Sequence, residues 1–307
     1  MINLEPAYEK KNIPVVFASS AYYAPYLAIT LKSLIDTSSN QFNYDIIVLH
    51  KEINIDTQLH IKNLKEEKKN VSIRFVEIDS AMSDINYNFR PGYSVESFYR
   101  VIMMNMLKYY DKTIYLDCDV IVKHDISELF TEYDISDYYV AAARDIDGIA
   151  SSVCNHENRK EYMIEYIGLS KLQNYFQSGV MIFNLSKIRE DFTIEQILQT
   201  ACAQEIMYGD QDVLNKLFHE KVKYLDMAWN VIINHNRCQL ETLLLLAPID
   251  VVDEFFEARE GAKIIHFAGT KPWNVPDAEY AEEFWKVARD TYFYDEILNR
   301  ELYKGEA

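Results

Sequence analysis

The sequence has few cysteines, no excess of positive charge and no long apolar run, and each absence narrows what the chain can be. Cys118, Cys154, Cys202 and Cys238 stand far apart and form no Cys-x-x-Cys pair, which argues against a zinc ribbon or disulfide framework and for a reduced, cytoplasmic chain. Lysine and arginine number 31 against 48 acidic residues, a formal net charge of −17, so nucleic acid is not an expected partner. Peripheral contact with a membrane is compatible with the sequence but not favoured by this charge, and any positive pocket must be local. The apolar run Leu243 to Ala247 is far too short for a transmembrane segment. Lys10 and Lys11, followed by Ile13 to Ala18 and Ser19-Ser20-Ala21, loosely mimic a signal peptide. That apolar core is short and holds Pro14, and helical periodicity continues through Ala24 to Leu31, so a strand followed by a helix explains these residues better.

What is present is an α/β series. Ile13 to Ala18, Tyr44 to Leu49 and Ser72 to Ile78 read as strands. Between them lie a helix from Pro25-Tyr26 to Thr37 and a lysine-rich helix, capped by Asp56, to about Lys69. Short connections imply parallel pairing and a doubly wound, Rossmann-like sheet flanked by helices. Further on, Ser94 is expected to cap a helix over Val95 to Lys108, Asp125 to Phe130 reads as a short helix, and Tyr138 to Ala143 as a strand. The polar stretch Asp147 to Gly168 reads as a mobile loop over the site. Phe176 to Gly179 reads as a turn into a strand ending at Asn184, with helix starts at Ser186 and Asp191, a helix from Thr193 to Met207 and another from Asp210 through Phe218. Residues 1–273 form the expected domain, and 274–307 an amphipathic helical appendage with an aromatic face that packs on the core or on a partner.

The stretch Lys112 to Lys123 organises the rest. Thr113 to Leu116 and Val120 to Val122 are strand-like, and Asp117 and Asp119 sit between them. Two carboxylates framed by apolar strands repel each other and are costly to bury, so a cation is expected between them, and hard oxygen ligands suit Mn or Mg. An isolated Asp-x-Asp is commonly a solvated loop, but such a loop would not be framed by Ile-Tyr-Leu and Val-Ile-Val. Ligand sites in open α/β sheets lie at strand C-termini, where this pair falls. Ala18 and Ser19, small residues ending the first strand, would let a base or ribose approach the backbone. Arg100 is either a surface charge or a forked contact to a diphosphate or ribose. A lone strand histidine such as His266 is more often a core residue than a ligand, yet Gly269 and Lys271 follow it, and a phosphate with a metal would use all three. Asp210 and Asp212 at a helix start are explained by capping alone; Gln211 between them is not.

An ordered set of motifs now carries a resemblance: Phe17 to Leu31 with Tyr23-Ala24-Pro25-Tyr26, Phe98-Tyr99-Arg100, Tyr115-Leu116-Asp117-Cys118-Asp119, Phe176-Gln177-Ser178-Gly179-Val180, Gly209-Asp210-Gln211-Asp212 with Leu214-Asn215, and His266 to Trp273. Over roughly Ile13 to Trp273 the chain resembles the family 8 glycosyltransferases of the GT-A fold. The resemblance implies a UDP-linked sugar donor and retention at the anomeric carbon. It implies Asp117, Asp119 and His266 as Mn ligands and Lys271 and Gly269 as diphosphate contacts. Arg100, Asp145, Gln177 and Asp210 fall at the donor sugar, Tyr23 at the base, with Ala18, Ser19 and Cys118 beside it, and Gln211 nearest the anomeric carbon. Two departures stand out: Ser20-Ala21-Tyr22 replaces acidic residues and an asparagine common before Tyr23, and Gln177 replaces an asparagine.

Gln211, Asp210 and Asp145 are the expected catalytic group. A glutamine is a poor nucleophile, which favours attack by the acceptor on the leaving-group face, with Asp210 as nucleophile the alternative. The expected acceptor is a glycan, glycolipid or glycoprotein, in the synthesis of a surface glycan such as lipopolysaccharide. Two rivals belong to other classes: a sugar-nucleotide-binding protein without catalysis, and a haloacid dehalogenase-type phosphatase, which normally carries Asp-x-Asp at the start of its core domain.

Overall fold

The computed structural model describes residues 4–65, 68–78, 95–154, 158–233, 245 and 247–302. Among the described residues the strands are β1 (Asn12–Ser19), β2 (Asn43–His50), β3 (Val71–Glu77), β4 (Lys112–Leu116), β5 (Val120–Val122), β6 (Val140–Arg144), β7 (Phe176–Asn184), β8 (Val222–Tyr224), β9 (Val231–Ile232) and β10 (Ile264–His266). Seven of them form one sheet in the order β3-β2-β1-β4-β7-β6-β8, and β5-β10-β9 form a second. Pairing from β3 to β4 is parallel, as the short strand-helix connections require, while β7 runs antiparallel between β4 and β6. Val15, Val16 and Phe17 of β1 and Ile46, Ile47 and Val48 of β2 are fully buried, as expected of a sheet covered on both faces.

Several local expectations are corrected. Asn54, not Asp56, caps the second helix by accepting from Thr57 N at 2.8 Å, and that helix spans Ile55–Asn63. The expected cap Ser94 lies outside the described residues; a 3-10 turn, Val95–Phe98, leads into the helix Tyr99–Met106. Asn184 caps the helix Leu185–Asp191, so Asp191 ends a helix, and a capping box of Thr193 and Gln196 opens the shorter helix Ile194–Ala201. Phe176 to Gly179 is already strand. The stretch expected as a loop is largely helical and packed: Asp145 caps the helix Ile146–Val153, Ile149 and Ala150 are fully buried, and Tyr162–Ile167 forms a π-helical turn burying Met163 and Ile167.

The C-terminal segment packs on the core. Phe284, Ala288, Phe293 and Ile297, from the helices Ala281–Ala288 and Tyr294–Leu302 and their link, join the cluster that contains β1, β2 and Trp273. Trp273 stacks on Tyr26 with centroids 4.0 Å apart, and Arg300 donates to Tyr22 O at 2.7 Å.

Candidate active site

Strand register brings the metal-ligating candidates together. In the antiparallel pair β4–β7, Leu116 faces Val180, so the next residue, Asp117, meets Gly179, and its N–H donates to Gly179 O at 2.8 Å. In the antiparallel pair β5–β10, Val120 faces His266, and Phe267 N donates to Asp119 O at 3.0 Å. The two aspartates thus bridge the two sheets, with His266 against them. One ligand atom from each of Asp117, Asp119 and His266 falls within 4.8 Å of the others.

The donor set fits a divalent cation. Gly179 N–H donates to Gln177 Oε1, which also accepts from Asn230 Nδ2 at 2.6 Å, so the Asn230 oxygen is turned to His266 Nδ1, 2.9 Å away. An amide oxygen only accepts, so Nδ1 carries the proton and the Nε2 lone pair points at the carboxylates. Nε2 lies 3.3 Å from Asp119 Oδ1 and 3.7 Å from Asp117 Oδ2, and Asp119 Oδ1 is buried without a hydrogen bond. Three electron-pair donors facing one point call for a cation. Gly179 makes the space: a Cβ there would lie 2.3 Å from His266 Cε1 and 2.6 Å from Asp117 Oδ2.

Two cations of the chain flank the pair. Lys271 bonds Asp119 Oδ2 and the Phe267 carbonyl. Burial raises the Asp119 carboxyl, but Lys271 overcomes that and holds it below the ordinary carboxylate range. Arg100, 95% buried, donates through Nη2 to Asp117 Oδ1 at 2.6 Å, through Nη1 to Ser178 O at 2.7 Å and through Nε to Ser97 O at 3.0 Å. Asp210 Oδ2 lies only 2.9 Å from Nε, but that N–H is spent on Ser97 O, so the contact is an ion pair without an aligned hydrogen bond.

Burial pushes the Asp210 carboxyl up to about 6; Arg100 opposes this and Asp117 adds to it. The folded state therefore binds this proton more tightly than the unfolded chain. The resulting stability is fully present below the ordinary value of 3.8 and is lost as pH rises through about 6. At about 1.4 kcal/mol per pH unit the loss amounts to about 3 kcal/mol. In chelator, Asp210→Asn should lose about that much less stability than the wild type between pH 4 and 7, measured by denaturant titration; parallel curves would contradict it.

Two cavities adjoin the metal-ligand candidates. The first is lined by Ala18, Ser20, Tyr23, Glu96, Ser97, Arg100, Tyr115, Asp117, Cys118 and Asp119. The second is lined by Asp145, Asp147, Gln177, Gln211, Ile232, Ala268 and Gly269. Ser19 is buried beside the first, its hydroxyl donating to Ser20 O at 3.0 Å, so its side chain does not line the cavity. Cys118 Sγ donates to Ala18 O at 3.1 Å, and burial pushes the thiol well up, which leaves it a neutral wall. Gln211 is locked: Nε2 donates to Asp145 Oδ2 at 2.6 Å and Oε1 accepts from Ser178 N at 3.2 Å. Asp212 accepts from Tyr162 Oη, Tyr175 Oη and Tyr208 N at 2.7, 2.5 and 2.7 Å, which fixes the helix start presenting Asp210 and Gln211. The expected residues therefore gather in one region. Sequence reasoning missed Asn230, Asp147 and Glu96, and it missed the space-making role of Gly179, for which a glycine inside a β-branched strand is the available signal.

A solved structure described as the apo form of the bifunctional glycosyltransferase WbbM superposes with a TM-score of 0.86 at 25% identity, covering 97% of this chain and 53% of that one. The architecture is that of the GT-A glycosyltransferases. A putative glycosyltransferase of Haemophilus influenzae is 30% identical over 226 residues, 72% of this chain and 63% of the relative. The lipopolysaccharide 1,2-glucosyltransferase of Escherichia coli is 24% identical over 302 residues, 91% of this chain and 80% of the relative. This chain thus spans 53% of the WbbM chain and 63% of the Haemophilus protein. The glycosyl transferase family 8 profile matches residues 14–276, and the chain belongs to that family.

Proposed function

We propose that the chain transfers a hexose from a UDP-sugar to an acceptor hydroxyl with retention at the anomeric carbon, using Mn or Mg held by Asp117, Asp119 and His266. The observation that carries this reading is the Nε2 lone pair of His266 facing two carboxylates beside a cavity lined in part by Tyr23. A bound divalent cation would supply Lewis-acid stabilisation of charge on the leaving diphosphate. Lys271, already at Asp119, is placed to add a second positive charge there, and Arg100 holds the Asp117 carboxylate in position.

The second cavity suits the sugar: Gln211, Asp145 and Gln177 present polar groups held in fixed orientations. As the anomeric carbon–phosphate oxygen bond breaks, the acceptor oxygen forms the new bond and its proton passes to the departing phosphate oxygen. The locked Gln211 amide supports attack on the leaving-group face, because it is no nucleophile, and the Asp210 carboxylate is drawn to Arg100. The name of the Escherichia coli relative supports a surface glycolipid acceptor and a hexose donor. No helix among the described residues is long and apolar enough to cross a membrane, and a nucleotide-sugar donor fits a cytoplasmic site of action. Incubation with α-linked UDP-hexoses and a glycolipid acceptor, followed by NMR, should give an α-linked product; a β-linked first product would exclude retention. Absence of donor turnover with and without acceptor would favour a binding protein.

A further inference from the structure

The C-terminal segment reaches the wall of the first cavity without entering it. Ser20 and Tyr23 line that cavity, and both belong to the turn between β1 and the helix Ala24–Thr37. The turn holds itself loosely: Tyr23 N donates to Ser20 Oγ at 3.3 Å, and Pro25, in the first turn of the helix, has no N–H to donate back to it. Arg300, near the end of the helix Tyr294–Leu302, supplies a bond from outside, its Nη1 donating to Tyr22 O at 2.7 Å across 278 residues of sequence. Its guanidinium also lies over the Tyr22 ring, 4.9 Å from the centroid, and 5.9 Å from the centroid of Tyr26. Glu296, four residues earlier on the same helix, accepts from Arg300 Nη2 at 2.5 Å and so aims the fork.

These contacts are not what docks the helix. Docking rests on Phe293 and Ile297, which are buried in the core cluster, whereas Tyr22 is exposed and Arg300 partly so. The ion pair of Arg300 with Glu296 is at the surface and adds little to stability. What Arg300 fixes is the carbonyl of the residue before Tyr23. Tyr23 in turn meets Tyr26 and Trp273 edge-on, at 5.6 and 6.4 Å between centroids, and Trp273 stands two residues beyond Lys271. The Tyr23 turn and the segment carrying Lys271 therefore share one aromatic cluster, with Arg300 at its edge. A loop held in its ligand-bound shape before the ligand arrives gives tighter binding, because ordering it on binding no longer costs free energy. Resting on the nucleotide-sugar reading, in which Tyr23 faces the base, we infer that Arg300 is a positioning residue for the donor. From the C-terminal helix it fixes the turn Ser20 to Tyr23, so the appendage sets the affinity for the nucleoside half of the donor without touching it.

The test is calorimetric binding of UDP and of inorganic diphosphate, both with Mn, to the full chain and to Arg300→Ala and Arg300→Met. The methionine variant keeps an apolar stem against the Tyr22 and Tyr26 rings and loses only the donors. Inorganic diphosphate occupies the metal end alone, so it reports on the site without the Tyr23 turn. Both variants should bind UDP about tenfold more weakly than the wild type, the size expected for loss of a hydrogen bond from a charged group, and should bind inorganic diphosphate as the wild type does. Equal weakening of both ligands would give Arg300 a merely structural role and overturn the inference. Unchanged UDP affinity in both variants would also overturn it, and would leave the donor reading standing, because the wild type still binds UDP. Failure of the wild type to bind either ligand with Mn would overturn the donor reading as well.

Discussion

Asp119→Ala should lower kcat/KM for sugar transfer by about a thousandfold or more and should also lower the melting temperature. In the proposed function Asp119 would serve both parts of the diphosphate end: Oδ1 faces His266 Nε2, and Oδ2 holds Lys271. On that reading its loss would remove a metal ligand and release the cation proposed for the leaving group. Stability should also fall, because Lys271 holds the Asp119 carboxyl below the ordinary range and the substitution leaves the largely buried Lys271 ammonium without that partner. Since Lys271 holds the Asp119 carboxyl below the ordinary carboxylate range, the defect should persist across the neutral range. Chelation followed by added Mn should restore the wild type and leave Asp119→Ala inactive. Comparable rescue of both would remove Asp119 from the metal site.

Gly179→Ala should be nearly as severe, without touching any ligand. The new methyl would fall 2.3 Å from His266 Cε1, 2.9 Å from Nδ1 and 2.6 Å from Asp117 Oδ2. Neither side can yield at low cost. His266 is 1% exposed and bonded to Asn230, and β7 is paired on both edges by β4 and β6. The imidazole must therefore leave its position, and a displacement of about 1 Å costs about a hundredfold in a positioned site. Mn affinity, read by electron paramagnetic resonance, should fall by about that factor, with an overpacking penalty of about 1–3 kcal/mol in stability. Gly261→Ala, where nothing lies within 4 Å of the added methyl, is the control and should be neutral. Equal Mn affinity in Gly179→Ala and the wild type would contradict the site geometry.

The site was legible where chemistry is concentrated in sequence. Asp117 and Asp119 between two apolar strands, and His266 ending a third, point to one another because carboxylates at strand ends need a cation. Asn230 gave no comparable signal; it sits at the end of the turn Met227–Asn230, and only the pairing of β9 with β10 brings it to His266. The helix Ile146–Val153 was hidden for a different reason. Ser151 and Ser152 are buried, their hydroxyls satisfied by Gly148 O and Ile149 O, so a packed helix carries the composition of a loop. The antiparallel insertion of β7 was also beyond local reading, since a run of buried residues looks the same in either direction.

The most direct measurement is the thermal stability of the wild-type chain with UDP, with Mn present or chelated. A ligand at about one hundred times its dissociation constant adds about 2.7 kcal/mol to the folded state. Metal and diphosphate share the Asp117–Asp119–His266 site in the proposed function, so UDP should raise the melting temperature only when Mn is present, by more than Mn alone does. Stabilisation by UDP that is equally large in chelator, or no response to any nucleotide diphosphate under either condition, would contradict a metal-diphosphate site at these residues.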